Sequence, residues 1–491
     1  MITRLKELLF QNRGARQTIT KNAFWLTFSQ ITSRFIRAAI IIYSARVLGA
    51  SGYGVFSYLL SLAGMFTIFS DIGINQIMTK EITQKPERTS EYFSTAFWIK
   101  IILFSVTATL VIFVGPYFSK IPITSSLFYI IAAIIIFDGL REFSQSIFRA
   151  REKMELEAFA SVLTNISVTV LGFTVLYFSV SLKLLTLSYA IATGIGAFAA
   201  MFIIRKEFKK IFSHFEKNLI KPLIASSWPV ALMGIIGAFM LNTDIIMLGW
   251  WKTTQEIGFY SAGQKIIQML YSFPAILAGA TFPTLSRLIG QQNNEKSKRL
   301  MEISMIATFL MAVPMTIGGI VLGKSIIPLI YGNEYLPAII PFQILMTTML
   351  IIFPGTLIGN AGLAYGKQKK MATYLAIAAF GNVILNAVLI PVYGIIGSAI
   401  ATLISQLISN SLSWRMIKKI NGFEIFVHVK KIVLAAIIMG ITSFVFDKFG
   451  LNVIINIVIS AAIYFAVLYA LKEKTMEEIK TLFKLARITP Q

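Results

Sequence analysis

Two arginines, Arg34 and Arg37, stand three residues apart inside an apolar stretch near the N-terminus, which puts them on one face of a helix. Guanidinium groups stay charged in any surroundings and make paired hydrogen bonds to phosphate oxygens, so this face suits a phosphate or pyrophosphate. Lys265, flanked by Gln264 and Gln268, is a third cation within an apolar stretch. The acids in comparable positions are Asp71, Asp138, Glu142 and Asp244, with Arg141 inside the Asp138–Glu142 cluster and Asn242 near Asp244. Ionisable groups in hydrocarbon are costly unless they face protein, water or a partner, so their persistence asks for a reason. One reading has Arg34, Arg37 and Lys265 line a cavity and hold the phosphate or pyrophosphate of a substrate. The other has each cation neutralise an acid on a neighbouring helix, Arg34 with Asp71 for example. The spacings of three and four from Asp138 allow pairing within one helix, which favours a structural or gating role for that cluster. Asp71 and Asp244 read as partners for a cation or as participants in ion coupling.

The elements that position these residues are membrane-spanning helices. The chain has 491 residues, 56% of them hydrophobic and 14% charged, with a mean hydropathy of +0.74. A helix needs about 20 apolar residues to cross the hydrocarbon core, because each residue rises about 1.5 Å and every backbone amide must be satisfied internally. That test gives fourteen spans, at 23–48, 53–79, 92–114, 124–148, 157–180, 185–204, 225–250, 257–286, 300–323, 336–359, 371–390, 393–414, 430–446 and 451–471. The fold class is an all-α polytopic membrane protein.

A formal net charge of +23 could point to nucleic acid, but the basic residues sit in short loops between apolar spans rather than on a soluble face. No nucleic-acid partner is expected. Their placement fixes topology instead. One set of loops collects Arg13 and Lys21, Lys80 to Arg88, Arg149 to Lys153, Arg205 to Lys221, Arg287 to Arg299, Lys367 to Lys370, Arg415 to Lys431 and the C-terminal tail. The alternate loops hold only Lys120, Lys183, Lys252, Lys324 and Lys448. The positive-inside rule then puts both termini in the cytoplasm and the protein in the cell membrane. No cleavable signal peptide is expected, since the first apolar stretch is long and carries Arg34 and Arg37. With no cysteine and only His214 and His428, there is no material for disulfides, thiolate catalysis or a cysteine or histidine metal centre. No cofactor is expected.

The chain also resembles itself. Gly54-Val55-Phe56-Ser57 opens span two as Gly258-Phe259-Tyr260-Ser261 opens span eight. Met154 to Asn165 aligns with Met371 to Asn382 without gaps, and Ala190-Ile191-Ala192-Thr193 recurs as Ala399-Ile400-Ala401-Thr402. The order of these matches marks two parallel copies of six spans, 23–204 and 225–414, followed by two helices at 430–471. A segment at 1–22, a basic linker at 205–224 and a tail at 472–491 complete the division, all three on the cytoplasmic side. Two parallel lobes are a transporter architecture.

Phe69-Ser70-Asp71-Ile72-Gly73-Ile74, Asp244-Ile245-Ile246-Met247-Leu248-Gly249 and Ile257-Gly258-Phe259-Tyr260-Ser261-Ala262 resemble signatures of the polysaccharide-biosynthesis flippases. So does Asn382-Val383-Ile384-Leu385-Asn386 running into Ile390-Pro391-Val392-Tyr393-Gly394. That family belongs to the multidrug/oligosaccharidyl-lipid/polysaccharide exporter superfamily, and the resemblance covers spans one to twelve. It implies transfer of a polyprenyl- or dolichyl-linked oligosaccharide from the cytoplasmic to the outer leaflet, by alternating access and without ATP hydrolysis. Consistent with that, the chain lacks a Gly-x-x-x-x-Gly-Lys-Ser/Thr phosphate loop. The coupling ion, H+ or Na+, stays open, and a monomer surrounded by membrane lipids is expected.

Two other functions compete. A multidrug cation antiporter of the same superfamily would present carboxylates to its substrate, whereas the mid-membrane excess here is basic. A membrane polysaccharide polymerase would be expected to carry a large outer catalytic loop, and no outer loop here exceeds about fifteen residues. Proline placement adds an expectation about motion. Spans one to six hold none in their interiors, while spans seven to ten hold Pro229, Pro274, Pro283, Pro314, Pro341 and Pro354, so the second lobe is predicted to bend and the first to move more rigidly.

Overall fold

A computed structural model describes residues 10–12, 14–118, 120–121 and 123–471. The N-terminal Arg4, Lys6 and Arg13 and the tail 472–491 lie outside the described residues. Among the described residues there is no strand. The α-helices are α1 Ala15–Thr67, α2 Ile74–Gln84, α3 Thr89–Thr109, α4 Ser125–Ala150, α5 Met154–Phe178, α6 Leu182–Ile203, α7 Arg205–Phe208 and α8 Ile220–Trp251. They continue as α9 Thr254–Leu270, α10 Ser272–Gly290, α11 Asn294–Tyr331, α12 Ile339–Thr347, α13 Met349–Ala364, α14 Gln368–Asn421, α15 Phe426–Lys448 and α16 Val453–Ala470.

Among the described residues, eleven helical stretches are long and apolar enough to cross a membrane. Two of them run for 54 residues, about 80 Å if straight and far more than one crossing needs. Each contains a non-helical glycine, Gly49 at φ 67° in α1 and Gly394 at φ 59° in α14, so each is two crossings joined at a kink. Gly is the residue that adopts such angles without a Cβ clash. Helix α4, which carries Asp138, Arg141 and Glu142 together, supplies a further span-length helix, and about fourteen crossings result.

The chain forms two compact units, Met1–Gly258 and Phe259–Gln491. Packing therefore divides the chain at a different place from the repeat, because α8 lies against α1 and α2 of the first unit. Within that unit α1 packs on α5, α4 and α5 both pack on α6, and α2 packs on α4. Its core includes Ile74, Met78, Phe93, Phe143, Ile147 and Leu223. The repeat glycines have a packing reason: a Cβ on Gly54 would collide with the Thr254 carbonyl, and one on Gly258 with the Ala50 carbonyl. In the second unit α11 packs on α15, α10 on α13 and α15 on α16. There the buried Asn456 donates from Nδ2 to the Ser443 carbonyl at 2.9 Å and accepts at Oδ1 from Ser443 and Ser460, fastening α15 to α16 where hydrocarbon gives no hydrophobic drive.

Three stretches that the sequence gives as single spans are broken. Span two, 53–79, has no proline yet stops at a 3-10 turn, Ile68–Ser70, and restarts at Ile74 after Ile72 and Gly73 adopt φ of 43° and 83°. A β-branched residue at positive φ is strained, so the surroundings must hold it there. Span eight breaks at Tyr271, and Pro274 follows in the first turn of α10, where a missing N–H costs nothing. Span ten breaks at Thr348 between α12 and α13. The Tyr271 and Thr348 hydroxyls are hydrogen-bonded at 2.6 Å, so two of the breaks support one another. Proline placement gives no sign of the break in the first lobe, whose span two is interrupted without a proline.

Candidate functional site

Three helices of the first unit enclose a cavity of about 370 Å³. Helix α1 contributes Leu26, Ser29, Gln30, Ser33, Arg34 and Arg37; α4 contributes Arg141, Glu142, Gln145 and Arg149; α5 contributes Glu157, Ser161 and Asn165. The recurrence of polar positions every three or four residues on α1 and α5 turns one stripe of each helix inward, which is how helices build a polar site while keeping lipid-facing surfaces apolar.

The carboxylates are already engaged. Arg149 makes a forked contact to Glu157, with Nε 3.1 and 3.0 Å from its two oxygens and Nη2 2.7 Å from Oε1, and also reaches Glu142 at 3.2 Å. Arg141 Nη2 lies 2.7 Å from Asp138 and 3.5 Å from Glu142. Arg37 Nε donates to Asn165 Oδ1 at 2.9 Å, and Asn165 is itself fixed by donating to the Ser161 carbonyl at 2.8 Å. Among the described residues, neither Arg34 nor Arg37 forms an ion pair, and both are exposed to the cavity. Four arginines face two glutamates on the lining, and Asp138 neutralises Arg141 from beside it, so the cavity keeps a net positive charge. At its basic-loop end, Lys21 ties α1 to the start of α5 through Glu155 at 2.9 Å and the Glu152 carbonyl at 3.2 Å.

The proposed pairing of Arg34 with Asp71 does not occur. Asp71 instead takes Lys100 Nζ at 3.0 Å on Oδ1, which also accepts from the Asn75 backbone N–H at 3.2 Å. Lys100 is fully buried on α3, 4.9 Å from the centre of the Phe104 ring. Asp71 thus caps α2 at the break in span two. Asp244 is buried on α8. Lys265 lies in the second unit on α9, half-buried, and donates to Gln268 at 3.2 Å. It does not line the cavity that holds Arg34 and Arg37.

Sequence reading missed Lys100, although a lysine nine residues into an apolar run was the signal. It also took Arg149 for a loop charge and gave Glu157 no role, because both stand at span ends where charge is ordinary. A second cavity, of about 410 Å³, lies in the second unit and is lined mainly by apolar groups, including Leu310, Met311, Met346, Met439, Ile457 and Phe465.

Comparison with known proteins fits this geometry. A family model described as polysaccharide biosynthesis protein matches residues 19–289, and the MatE model matches 229–392. A probable low-salt glycan biosynthesis flippase of Haloferax volcanii is 24% identical over 441 residues, covering 87% of this chain and 89% of that protein. A putative O-antigen transporter of Shigella flexneri is 24% identical over 412 residues, covering 78% and 94%. Among solved structures, a lipid II flippase in an inward closed conformation superposes with a TM-score of 0.78 at 16% identity, covering 91% of this chain and 99% of that one. The fold is shared with that protein.

Proposed function

This chain belongs to the polysaccharide biosynthesis protein family, and from that premise we propose that it is a flippase for a lipid-linked oligosaccharide used in cell-surface glycan assembly. The observation that carries the reading is the cavity of the first unit. Its net positive charge suits the negative charge of a diphosphate diester, and Arg34 and Arg37 are the cations whose charge no carboxylate of the cavity already neutralises. Gln30 and Ser33 on the α1 side of the same cavity add polar groups suited to sugar hydroxyls. The relatives named as flippases and transporters support transport rather than catalysis. A cation antiporter would need unpaired carboxylates where this cavity offers unpaired arginines.

In this reading the glycan crosses from the cytoplasmic to the outer leaflet of the cell membrane by alternating access in a monomer, driven by H+ or Na+ rather than ATP, with both termini cytoplasmic. Lys265 would be a further phosphate contact. The test is export of the glycan by Arg34→Ala, Arg37→Ala and the double variant at matched protein level in the membrane. Each single variant should lose activity, with lysine at either position partly restoring it, and the lipid-linked glycan should accumulate inside. Normal export by the double variant would refute the phosphate-binding role.

A further inference from the structure

The segment between α6 and α8 is built with two unlike faces. Ile204, Glu207, Ile211 and Leu219 are buried, and their side is fastened to α3. Ser94 Oγ donates to the Ile211 carbonyl, Trp98 Nε1 donates to the same carbonyl at 3.4 Å, and the Glu216 backbone N–H donates to Thr95 Oγ1 at 3.0 Å. Glu207 is neutralised by Arg151 at 2.6 Å. The other face is exposed and carries Arg205, Lys206, Lys209, Lys217 and Lys221 beside Phe212, which is 82% exposed. None of these five cations forms an ion pair among the described residues.

Position fixes what this face meets. Helices α6 and α8 are both long and apolar enough to cross a membrane, and only sixteen residues separate Ile203 from Ile220, so the segment lies at the membrane surface. Exposed lysines next to exposed phenylalanine form the composition that seats in an interface, the ring entering the headgroup layer while the cations meet phosphates. The Arg205 guanidinium lies 4.5 Å from the centre of the Phe202 ring, and Phe202 is itself exposed at the end of α6, so charge and aromatic surface are joined there as well.

We propose that residues 204–221 form a docking surface for anionic phospholipid, preorganised by the hydrogen bonds to α3. This does not depend on the substrate reading, since none of these residues lines the cavity of the first unit. It asserts more than a topological bias: the face should enrich anionic headgroups around itself rather than merely reside on one side of the bilayer.

The chain has no cysteine, so Ser213→Cys gives a single labelling site within this face for a bimane fluorophore. The full chain is reconstituted in phosphatidylcholine vesicles containing spin-labelled phosphatidylglycerol or spin-labelled phosphatidylcholine at one mole fraction. Quenching should favour phosphatidylglycerol by at least about fivefold, the factor that one lysine–headgroup contact alone supplies. The preference should vanish at high salt and in Lys206→Gln/Lys209→Gln/Lys217→Gln/Lys221→Gln carrying the same label. A bimane on Tyr177→Cys, exposed at the end of α5, should show no preference. Equal quenching by the two lipids at the Ser213→Cys label would overturn the proposal, as would an equal preference at Tyr177→Cys. A preference insensitive to salt would do the same without relying on the folding of the quadruple variant.

Discussion

The Lys100–Asp71 pair makes a sharp thermodynamic prediction, because its two partners differ in burial. The lysine side chain is 0% exposed and the aspartate 23%, with 3.0 Å between Nζ and Oδ1. Asp71→Asn keeps an oxygen for the Asn75 N–H but leaves an ammonium sealed from water, so it should cost about 3–5 kcal/mol, the range for orphaning one partner of a buried pair. Lys100→Met removes the sealed charge and leaves a carboxylate that water still reaches, so the cost should fall to about 1–2 kcal/mol. Removing both charges should be close to neutral, within about 1 kcal/mol of the parent, since an apolar replacement of a buried pair often loses nothing. The assay is a double-mutant cycle on the purified protein in detergent, following denaturant unfolding by tryptophan fluorescence. Additivity of the two single variants to within about 0.5 kcal/mol would refute the pairing. A larger cost for Lys100→Met than for Asp71→Asn would refute the argument from burial.

Three further outcomes are expected. Gly54→Val should destabilise the first unit by about 1–3 kcal/mol or more, because its side chain must displace the backbone around Thr254; unchanged thermal stability would deny that close approach. Tyr271→Phe should cost about 0.5–1.5 kcal/mol by deleting the bond to Thr348, read by thermal unfolding; an unchanged stability would deny that the two breaks support one another. Spin labels placed on either side of Ile72–Gly73, and on either side of Tyr271, should both change separation between inward-open and outward-open states; a fixed distance across Ile72–Gly73 would restore the rigid first lobe that proline placement suggests.

What the sequence made legible follows from what each signal averages over. Span existence is a property of some twenty residues together, so the crossings could be read from apolar runs; the kink at Gly49 falls in the gap left between spans one and two, and that at Gly394 is the second residue of span twelve. The break in span two is a property of three residues. Apolar neighbours hid it in any long window, even though Asp71 and Gly73 are turn formers and stand two apart. The same averaging hid Lys100, whose one charge barely alters the hydropathy of the run around it.

The cavity shows a different limit. Arg34 and Arg37 stood out because a cation in mid-span is anomalous on its own helix, whereas Arg149 and Glu157 sit at span ends where charge is the rule. Yet what separates the first pair from Arg149 is pairing: Glu157 and Glu142 close around Arg149, and among the described residues no carboxylate does so around Arg34 or Arg37. Pairing joins α4 to α5 across a turn and depends on which faces of those helices meet, a tertiary property that helix periodicity leaves undetermined. The sum of charge on the cavity wall is therefore set by helix rotation as much as by composition. A shift of one position in α5 would turn Glu157 away by about 100°, leave Arg149 to Glu142 alone, and raise the positive excess that an anionic substrate meets.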